Sequence, residues 1–392
     1  MKKTEQPLSV AKRHRLEARC PYFGKCGGCS WQDIAHEFQP KIKREFVQDA
    51  FDEAKIACHI APVEPCPEPF YYRNRMDYVF GKNGELGLKV SGHWWETLDL
   101  KTCFLLSPET PEILERTRVW TKETGLPFWN VKTHQGFFRY LVIREGKNTD
   151  ERLIMLVVSN QFTLPTEHRS AILHLFAPLA TSLLVGVNET ITDLSIPQRI
   201  ETLFGEPYLH EVVNGLRYRI TPASFFQTNT AMAVELQHTV CELAGNLKNK
   251  KVLDLYCGAG FFSLALAKEA KEVIGIELDE DAIKGARLNA SLNQISNASF
   301  FASKVEEFDW ALERPDVVIL DPPRAGLHPS VIETLLAVLP KRIVYVSCKY
   351  QKLVEELPRF LEYYAIEEVR ALDLFPQTPH VEVVVSLISK PL

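Results

Sequence analysis

Three kinds of residue in this chain could do chemistry together: acids beside a glycine turn, lone thiols, and a carboxylate near the C-terminus. Val252-Leu253-Asp254-Leu255-Tyr256-Cys257-Gly258-Ala259-Gly260-Phe261-Phe262 is an apolar run closed by an acid, followed by a tight turn. Gly258 and Gly260 lack Cβ, so the backbone there can turn sharply and admit a ligand closely. The helix that follows offers free N–H groups to that ligand. Glu277 ends the next apolar run, where an acid can hold a ribose diol. The spacing is G-x-G with no third glycine, and Asp254 would repel a pyrophosphate but could hold an ammonium group. Acid, turn and second acid therefore suit S-adenosylmethionine better than a dinucleotide. The bland alternative is a strand–turn–helix with no ligand.

Three further motifs follow short apolar runs or precede one: Asp321-Pro322-Pro323-Arg324, Ser347-Cys348-Lys349 and His380-Val381-Glu382. Cys348 would stand at a strand end before a helix N-terminus, a position that lowers a thiol pKa. A thiolate beside a methyl donor makes sense when the acceptor needs activation, as a pyrimidine C5 does. Addition of the thiolate to C6 makes C5 nucleophilic, and a base must then remove the C5 proton so that the thiolate can leave. Cys348 fits the nucleophile and Glu382 the base. The pyrimidine must leave any stack to be held this way. Cys257, inside the glycine turn, is the rival nucleophile and reads as a small packing residue. Cys348 itself could be no more than a buried strand-end cysteine.

Cys20-Pro21-Tyr22-Phe23-Gly24-Lys25-Cys26-Gly27-Gly28-Cys29 sets three thiols within ten residues. The glycines let the loop fold back so that the sulfurs can face one centre. Cys58, Cys66 and Cys103 are candidates for a fourth ligand. Zinc and an iron–sulfur cluster both accept such donors, and spacing does not separate them. Arg73, Arg75 and Arg139 stand among Tyr71, Tyr72, Tyr78, Phe137, Phe138 and Tyr140, a mixture suited to stacking on unpaired RNA bases. Ordinary sheet aromatics with surface arginines explain it equally. Gln227, flanked by aromatics in Ser224-Phe225-Phe226-Gln227, could line the cofactor pocket or simply pack.

The elements that must position these residues fall into four stretches. Residues 1–31 are a basic N-terminus, with Lys2, Lys3, Lys12, Arg13 and Arg15, and the cysteine loop. Residues 32–63 carry Ile34, Phe38, Ile42, Phe46 and Phe51 at helical spacing, with Pro40 in the first turn. Short β-rich runs fill 64–220, which reads as an antiparallel sheet with a few helices. From 221 a helix and then alternating strands and helices predict a parallel doubly wound sheet, closed by a hairpin near residues 367–388. Ligands bind outside the carboxyl ends of such strands, which brings Asp321, Cys348 and Glu382 to the cofactor rim. At 392 residues the chain has room for several domains. Its net charge of −5 shows no general basic field. The start lacks a secretory apolar segment, no run is long enough to span a bilayer, and a cytoplasmic location is expected. In that compartment nine cysteines point to metal or catalysis more than to disulfides.

Across nearly its whole length the chain resembles the iron–sulfur branch of the RNA uridine-5-methyltransferases. The likeness runs through the Cys20/Cys26/Cys29 loop, Tyr72-Arg73-Asn74-Arg75, Cys103, Ser224-Phe225-Phe226-Gln227, Asp254 to Gly260, Asp321-Pro322-Pro323-Arg324, Cys348 and His380-Val381-Glu382. The resemblance implies a Rossmann-like class I methyltransferase domain, with a mostly parallel seven-stranded sheet, beside an N-terminal and central α+β domain carrying a four-cysteine cluster. It implies a [4Fe-4S] cluster on Cys20, Cys26, Cys29 and Cys103, with zinc as the runner-up. It implies contacts to S-adenosylmethionine from Gln227, Tyr256, Glu277 and Asp321, in addition to the Asp254, Gly258 and Gly260 turn. It makes Cys348 the nucleophile and Glu382 the proton acceptor, and it packs the helix near 39–56 on the catalytic domain.

Two departures stand out. The chain begins too close to Cys20 to hold the N-terminal RNA-binding barrel of many relatives, so RNA affinity is expected from the cysteine loop, the central domain and the basic N-terminus. Relatives read Cys-Asn-Pro after the nucleophile, whereas Cys348-Lys349-Tyr350 stands here. The expected substrate is ribosomal RNA, with transfer RNA the alternative, and the expected state is a monomer without membrane association. Two other readings compete: amino methylation, disfavoured because Arg324 replaces the aromatic residue of such Asp-Pro-Pro loops, and an iron–sulfur RNA-binding or assembly factor whose methyl transfer is weak or lost.

Overall fold

A computed structural model describes residues 14–391. Lys2, Lys3, Lys12 and Arg13 of the basic N-terminus lie outside the described residues. The chain builds two seven-stranded sheets and a small hairpin.

The first sheet holds β1 (Arg75–Phe80), β2 (Leu86–Val90), β3 (His93–Asp99), β4 (Phe138–Glu145), β5 (Arg152–Ser159), β6 (Ser182–Asn188) and β7 (Arg199–Phe204), in the order β3-β2-β1-β4-β5-β6-β7. It is not wholly antiparallel as expected. β5 and β6 run parallel, because helix Thr166–Phe176 carries the chain back over the sheet between them, the crossover that a parallel pair needs. β4 and β5 are buried along nearly their whole length, which suppresses the alternation that marks a half-exposed strand. A second departure is the hairpin β8 (Leu209–Val213) and β9 (Leu216–Ile220). Its turn is Asn214-Gly215, both at positive φ, 48° and 74°. That is the mirror-image turn that Asn-Gly favours, so its signal was present in the sequence.

The second sheet holds β10 (Lys251–Leu255), β11 (Glu272–Glu277), β12 (Ala298–Ala302), β13 (Val317–Leu320), β14 (Arg342–Ser347), β15 (Tyr364–Leu372) and β16 (Glu382–Ser389), ordered β12-β11-β10-β13-β14-β16-β15. β10 to β14 are parallel. β16 inserts antiparallel between β14 and β15, the closing hairpin expected. Alternate residues serve two cores. Val252, Ile319, Val344 and Val384 face helix α2 (Thr230–Ala244) through Met232, Leu236 and Val240. Leu253, Leu320, Ile343 and Val383 face the other side. The first of these cores continues into Tyr78, Phe80, Leu141 and Ile143 of the first sheet. No open linker therefore separates the sheets near residue 220.

Helix α1 (Gln39–Glu53) buries Ile42, Val47 and Phe51. Val47 and Phe51 join the second core, alongside helix α3 (Tyr350–Leu361) through Leu353 and Phe360. Two buried polar links tie α1 to the segment before β16. Lys43 Nζ donates to Asp373 Oδ1 at 2.5 Å, both side chains fully buried. Gln39 Nε2 donates to Gln377 Oε1 at 3.1 Å, and Gln377 N–H donates back to Gln39 Oε1 at 2.8 Å. The N–H groups of Ser30 and Trp31, next to the cysteine loop, both donate to the Gln377 carbonyl at 2.9 Å.

Candidate active site

Parallel pairing aligns the carboxyl ends of β10, β11, β13 and β14. Leu255 lies opposite both Ile276 and Leu320, and Leu320 opposite Tyr345. Tyr256 and Asp321 each follow one residue beyond their strand, and Cys348 one residue beyond β14. The antiparallel β14–β16 register pairs Ser347 with Val383. One step further, Cys348 falls opposite Glu382, on strands about 5 Å apart. Residues distant in sequence are thus brought to one rim by register alone.

The glycine turn is shaped by conformation more than by crowding. Tyr256 sits at φ 69° and Gly258 at φ 53°. A Cβ on Gly258 would meet nothing within 4 Å, so glycine is used there for its positive φ. The N–H groups of Tyr256 and Cys257 both donate to the Ile276 carbonyl, at 2.9 and 3.1 Å. Glu277 braces the same turn, accepting from Gly258 N–H at 3.2 Å and from Asp279 N–H at 3.0 Å. Its remaining lone pairs stay available for a ligand diol. Gly260, at φ 84°, opens the helix Phe261–Leu266. Asp254 is fully buried. Its Oδ2 accepts from Ser263 Oγ at 2.5 Å, while Oδ1 has no partner among the described residues. Gln227 is held by its backbone, whose carbonyl accepts from Asn74 Nδ2 at 2.8 Å. Arg144 fixes the approach to it by donating to the carbonyls of Pro222 and Ser224.

Buried acids crowd this site. Burial pushes Asp254 up to about 7. Asp321 also reaches about 7, through burial and then the charges of Asp254 and Glu277. Burial, followed by Asp321, raises Glu382 well above the usual carboxylate range, and Arg324 opposes it. Arg324 is set against three such acids, and a sulfonium and an ammonium would supply further positive charge. A pocket with acids raised in this way fits S-adenosylmethionine and would repel a pyrophosphate.

The expectation for Cys348 needs correction. Its thiol is raised, not lowered: burial dominates, then the charge of Glu382, while Arg324 pulls the other way. Burial first, and the charges of Glu382 and Asp321 after it, act against the helix N-terminus. Arg324 is the residue that sequence reasoning passed over. It lies within the Asp-Pro-Pro-Arg motif, but only the fold puts its guanidinium beside the thiol. Cys257 is buried and raised far above the ordinary thiol range by burial and then Asp254. A Cβ on Gly275 would come within 2.8 Å of its Sγ. It packs, as expected. The Lys349-Tyr350 substitution leaves the turn formed, since Lys352 N–H still bonds the Lys349 carbonyl at 2.9 Å.

The cysteines divide. Cys20, Cys26, Cys29 and Cys103 line one small cavity with Phe23, Leu88, Leu100 and Phe104. Cys66 is elsewhere, accepting from Asn229 Nδ2 at 3.3 Å. The four sulfurs share a pocket, yet among the described residues no group of three or more His, Cys, Asp or Glu side chains is arranged to hold a metal ion. The expected four-cysteine cluster is thus present as a pocket and not as a coordination sphere. Burial raises the thiols of Cys26, Cys29 and Cys103. Four soft donors in apolar walls nonetheless fit a thiolate-bound centre.

The arginine–aromatic reading also changes. Arg139 is buried, its guanidinium 4.2 Å from the Trp129 ring centroid, and donates to the carbonyls of Asn188, Thr190 and Thr192. Arg75 pairs with Asp77 at 2.7 Å. Both brace loops and neither presents a free face to RNA.

The sheet order, with its reversed final hairpin, and the acid–turn–acid site at its carboxyl rim define a Rossmann-like class I methyltransferase that uses S-adenosylmethionine. The pattern of the tRNA (Uracil-5-)-methyltransferase family matches residues 198–390. An "Uncharacterized RNA methyltransferase" of Clostridium tetani is 38% identical over 387 residues, covering 96% of this chain and 85% of that protein. The tRNA (uracil(54)-C(5))-methyltransferase of Pyrococcus horikoshii is 37% identical over 380 residues, covering 95% and 86%. The crystal structure of the Pyrococcus abyssi tRNA (uracil-54, C5)-methyltransferase in complex with S-adenosyl-L-homocysteine matches with a TM-score of 0.79 and 33% identity, over 93% and 86% of the two chains. The chain belongs to the RNA uracil-5-methyltransferase family and is an S-adenosylmethionine-dependent enzyme of that family. The Pyrococcus relatives are named for transfer RNA, the alternative to the ribosomal RNA expected from the sequence. No helix among the described residues is long and apolar enough to cross a membrane.

Proposed function

We propose that this enzyme methylates C5 of a uridine in transfer RNA, with Cys348 as nucleophile and Glu382 as proton acceptor. The observation that carries this reading is the register that sets Cys348 opposite Glu382 at the rim shared with Asp321 and the glycine turn. The two Pyrococcus relatives favour transfer over ribosomal RNA. S-adenosylmethionine bound at the rim supplies an electrophilic methyl group. Cys348 loses its proton to solvent at the open rim, helped by the Arg324 guanidinium. Its Sγ bonds C6 of the uracil, and the C5–C6 electron pair moves toward the O4 carbonyl. C5 takes the methyl, and the donor's carbon–sulfur bond breaks. Glu382 then accepts the C5 proton, the C5–C6 double bond reforms, and the Sγ–C6 bond breaks to return the thiolate. Gln227, Tyr256, Gly258, Gly260 and Glu277 orient the donor, and Asp254 and Asp321 balance its positive charge.

Cys20, Cys26, Cys29 and Cys103 would hold a thiolate-ligated metal centre, a [4Fe-4S] cluster by family resemblance, with zinc the alternative. Methyl transfer moves no electron, so its role would be to fix the loop whose Ser30 and Trp31 grip Gln377. Anaerobic purification with metal analysis and visible absorption tests it: iron with a thiolate-to-iron band is expected, and a protein without bound metal would defeat it.

The reaction is tested with labelled S-adenosylmethionine, unmodified tRNA transcript and nucleoside mass spectrometry. The expected product is 5-methyluridine in tRNA, lost in Cys348→Ala. Full transfer by that variant, or a methyl group on nitrogen, refutes the mechanism. Methylation confined to ribosomal RNA refutes the substrate.

A further inference from the structure

The β2–β3 hairpin carries two tryptophans that the fold does not bury. Trp94 is 58% exposed and Trp95 44%, on the edge strand of the first sheet. Lys132 Nζ stands 4.9 Å from the Trp95 ring centroid. Trp95, Thr97, Trp129, Lys82, Lys89 and Lys132 line one open cleft. Lys89 is paired with Asp193 at 3.1 Å, whereas Lys82 and Lys132 form no ion pair among the described residues. An exposed aromatic ring with ammonium groups lining the same cleft matches a base and its phosphates.

A chain of polar contacts ties the cleft to the segment that leads into Gln227. Asp193 accepts from Tyr140 Oη at 2.5 Å. Two residues on, Ser195 Oγ donates to Asp77 at 2.5 Å, and Arg75, paired with Asp77, donates to the Pro222 carbonyl at 3.1 Å. Pro222 leads into Phe225, which is 70% exposed, and Gln227. β3 and β1 are separated only by β2 in the first sheet, two strand spacings or about 10 Å, so the cleft and the Arg75–Asp77 pair lie on nearby strands of one sheet.

We infer that this cleft is a second RNA contact, in which Trp95 stacks on an unpaired base outside the reacting pocket while Lys132 and Lys82 hold its flanking phosphates. The inference rests on the proposed RNA substrate. An edge strand can also pair with a second copy of the chain, but a second copy would bring the same lysines against these, so the positive cleft favours a polyanion.

The experiment measures affinity for unmodified tRNA transcript, together with turnover, for Trp95→Ala, Trp95→Phe and Lys132→Gln. Trp95→Ala should weaken tRNA binding by roughly 5- to 100-fold, the range for losing one base–aromatic stack, with Trp95→Phe within threefold of wild type. Lys132→Gln should reduce the slope of log affinity against log salt by about 1. Affinity for S-adenosylmethionine and kcat at saturating tRNA should not move. Trp95→Ala affinity within twofold of wild type overturns the inference, as does a change confined to sedimentation mass. If Trp95→Ala weakens tRNA binding but wild type transfers no methyl group, the proposed reaction fails and the contact stands. Unchanged tRNA affinity with full methylation is the converse.

Discussion

Affinity for S-adenosylmethionine should rise steeply with pH across neutrality. Asp254 and Asp321 are both pushed to about 7 by burial, and Asp321 also by the charges of Asp254 and Glu277. A carboxyl titrating at 7 is about one-tenth ionised at pH 6 and about nine-tenths at pH 8. A cationic donor that needs the ionised form therefore gains about tenfold in affinity per carboxyl between those values. Two such groups set a ceiling of about a hundredfold, reduced because each ionised acid opposes the other. Stability runs the opposite way. These acids titrate higher folded than unfolded, so their contribution is present below about pH 4 and is lost as pH rises through about 7. The free enzyme should lose Tm over that window while the Tm gain on adding S-adenosylmethionine grows. Calorimetric titration at pH 6, 7 and 8, in two buffers of different ionisation enthalpy, reads both the affinity and the protons released. S-adenosylhomocysteine, lacking the sulfonium charge, should show a shallower slope. Asp321→Asn should flatten the slope and bind more weakly at pH 8. A flat profile with no proton release would show that the acids do not answer to the ligand's charge.

Other outcomes can be stated from the same geometry. Glu382→Gln should cut turnover by about 10²- to 10⁴-fold while protein–RNA adduct through Cys348 accumulates on a denaturing gel; lost turnover without adduct would point to a different base. Lys43→Met should destabilise the fold by about 3–5 kcal/mol in urea melts, because Asp373 is left charged and buried. Lys43→Met/Asp373→Leu should recover much of that loss, and equal loss in single and double variants would show that the pair is uncoupled. Gly260→Ala forces Cβ onto a residue at φ 84° with neighbours at 3.4 Å and should cost about 1–2 kcal/mol, read as a lower Tm.

The local signals in the sequence were those that one segment can carry alone. Several of the second sheet's strands were legible because a buried run ends at or beside an acid, as at Glu277, Asp321 and Asp373, and α2 because its caps flank it in sequence: Asn229 accepts from Met232 N–H at 3.2 Å and Gly245 ends it at φ 71°. What escaped was set by partners far away. The parallel β5–β6 pair depends on a crossover with few buried residues. Arg139 looked like an RNA contact because its buried carbonyl partners come from residues 188–192. The rise of the Cys348 thiol comes from burial and then from Glu382 across a strand pair, which helix position alone does not report. The nearness of Cys348 and Glu382 could be expected from topology, but their register could not.

The grip of residues 30, 31 and 39 on Gln377 also bears on when the enzyme becomes active during its own synthesis. That contact joins positions 338 residues apart, and β16 enters the interior of its sheet only after β15 has been made. Chains emerge N-terminus first. A ribosome-bound chain can therefore display the cysteine loop, the tryptophan hairpin and the glycine turn while still lacking both Glu382, the proposed proton acceptor, and the Gln377 brace. On the proposed mechanism translation acts as a safety catch: a nascent chain cannot complete a catalytic cycle on RNA until the final strand, which carries Glu382, is in place.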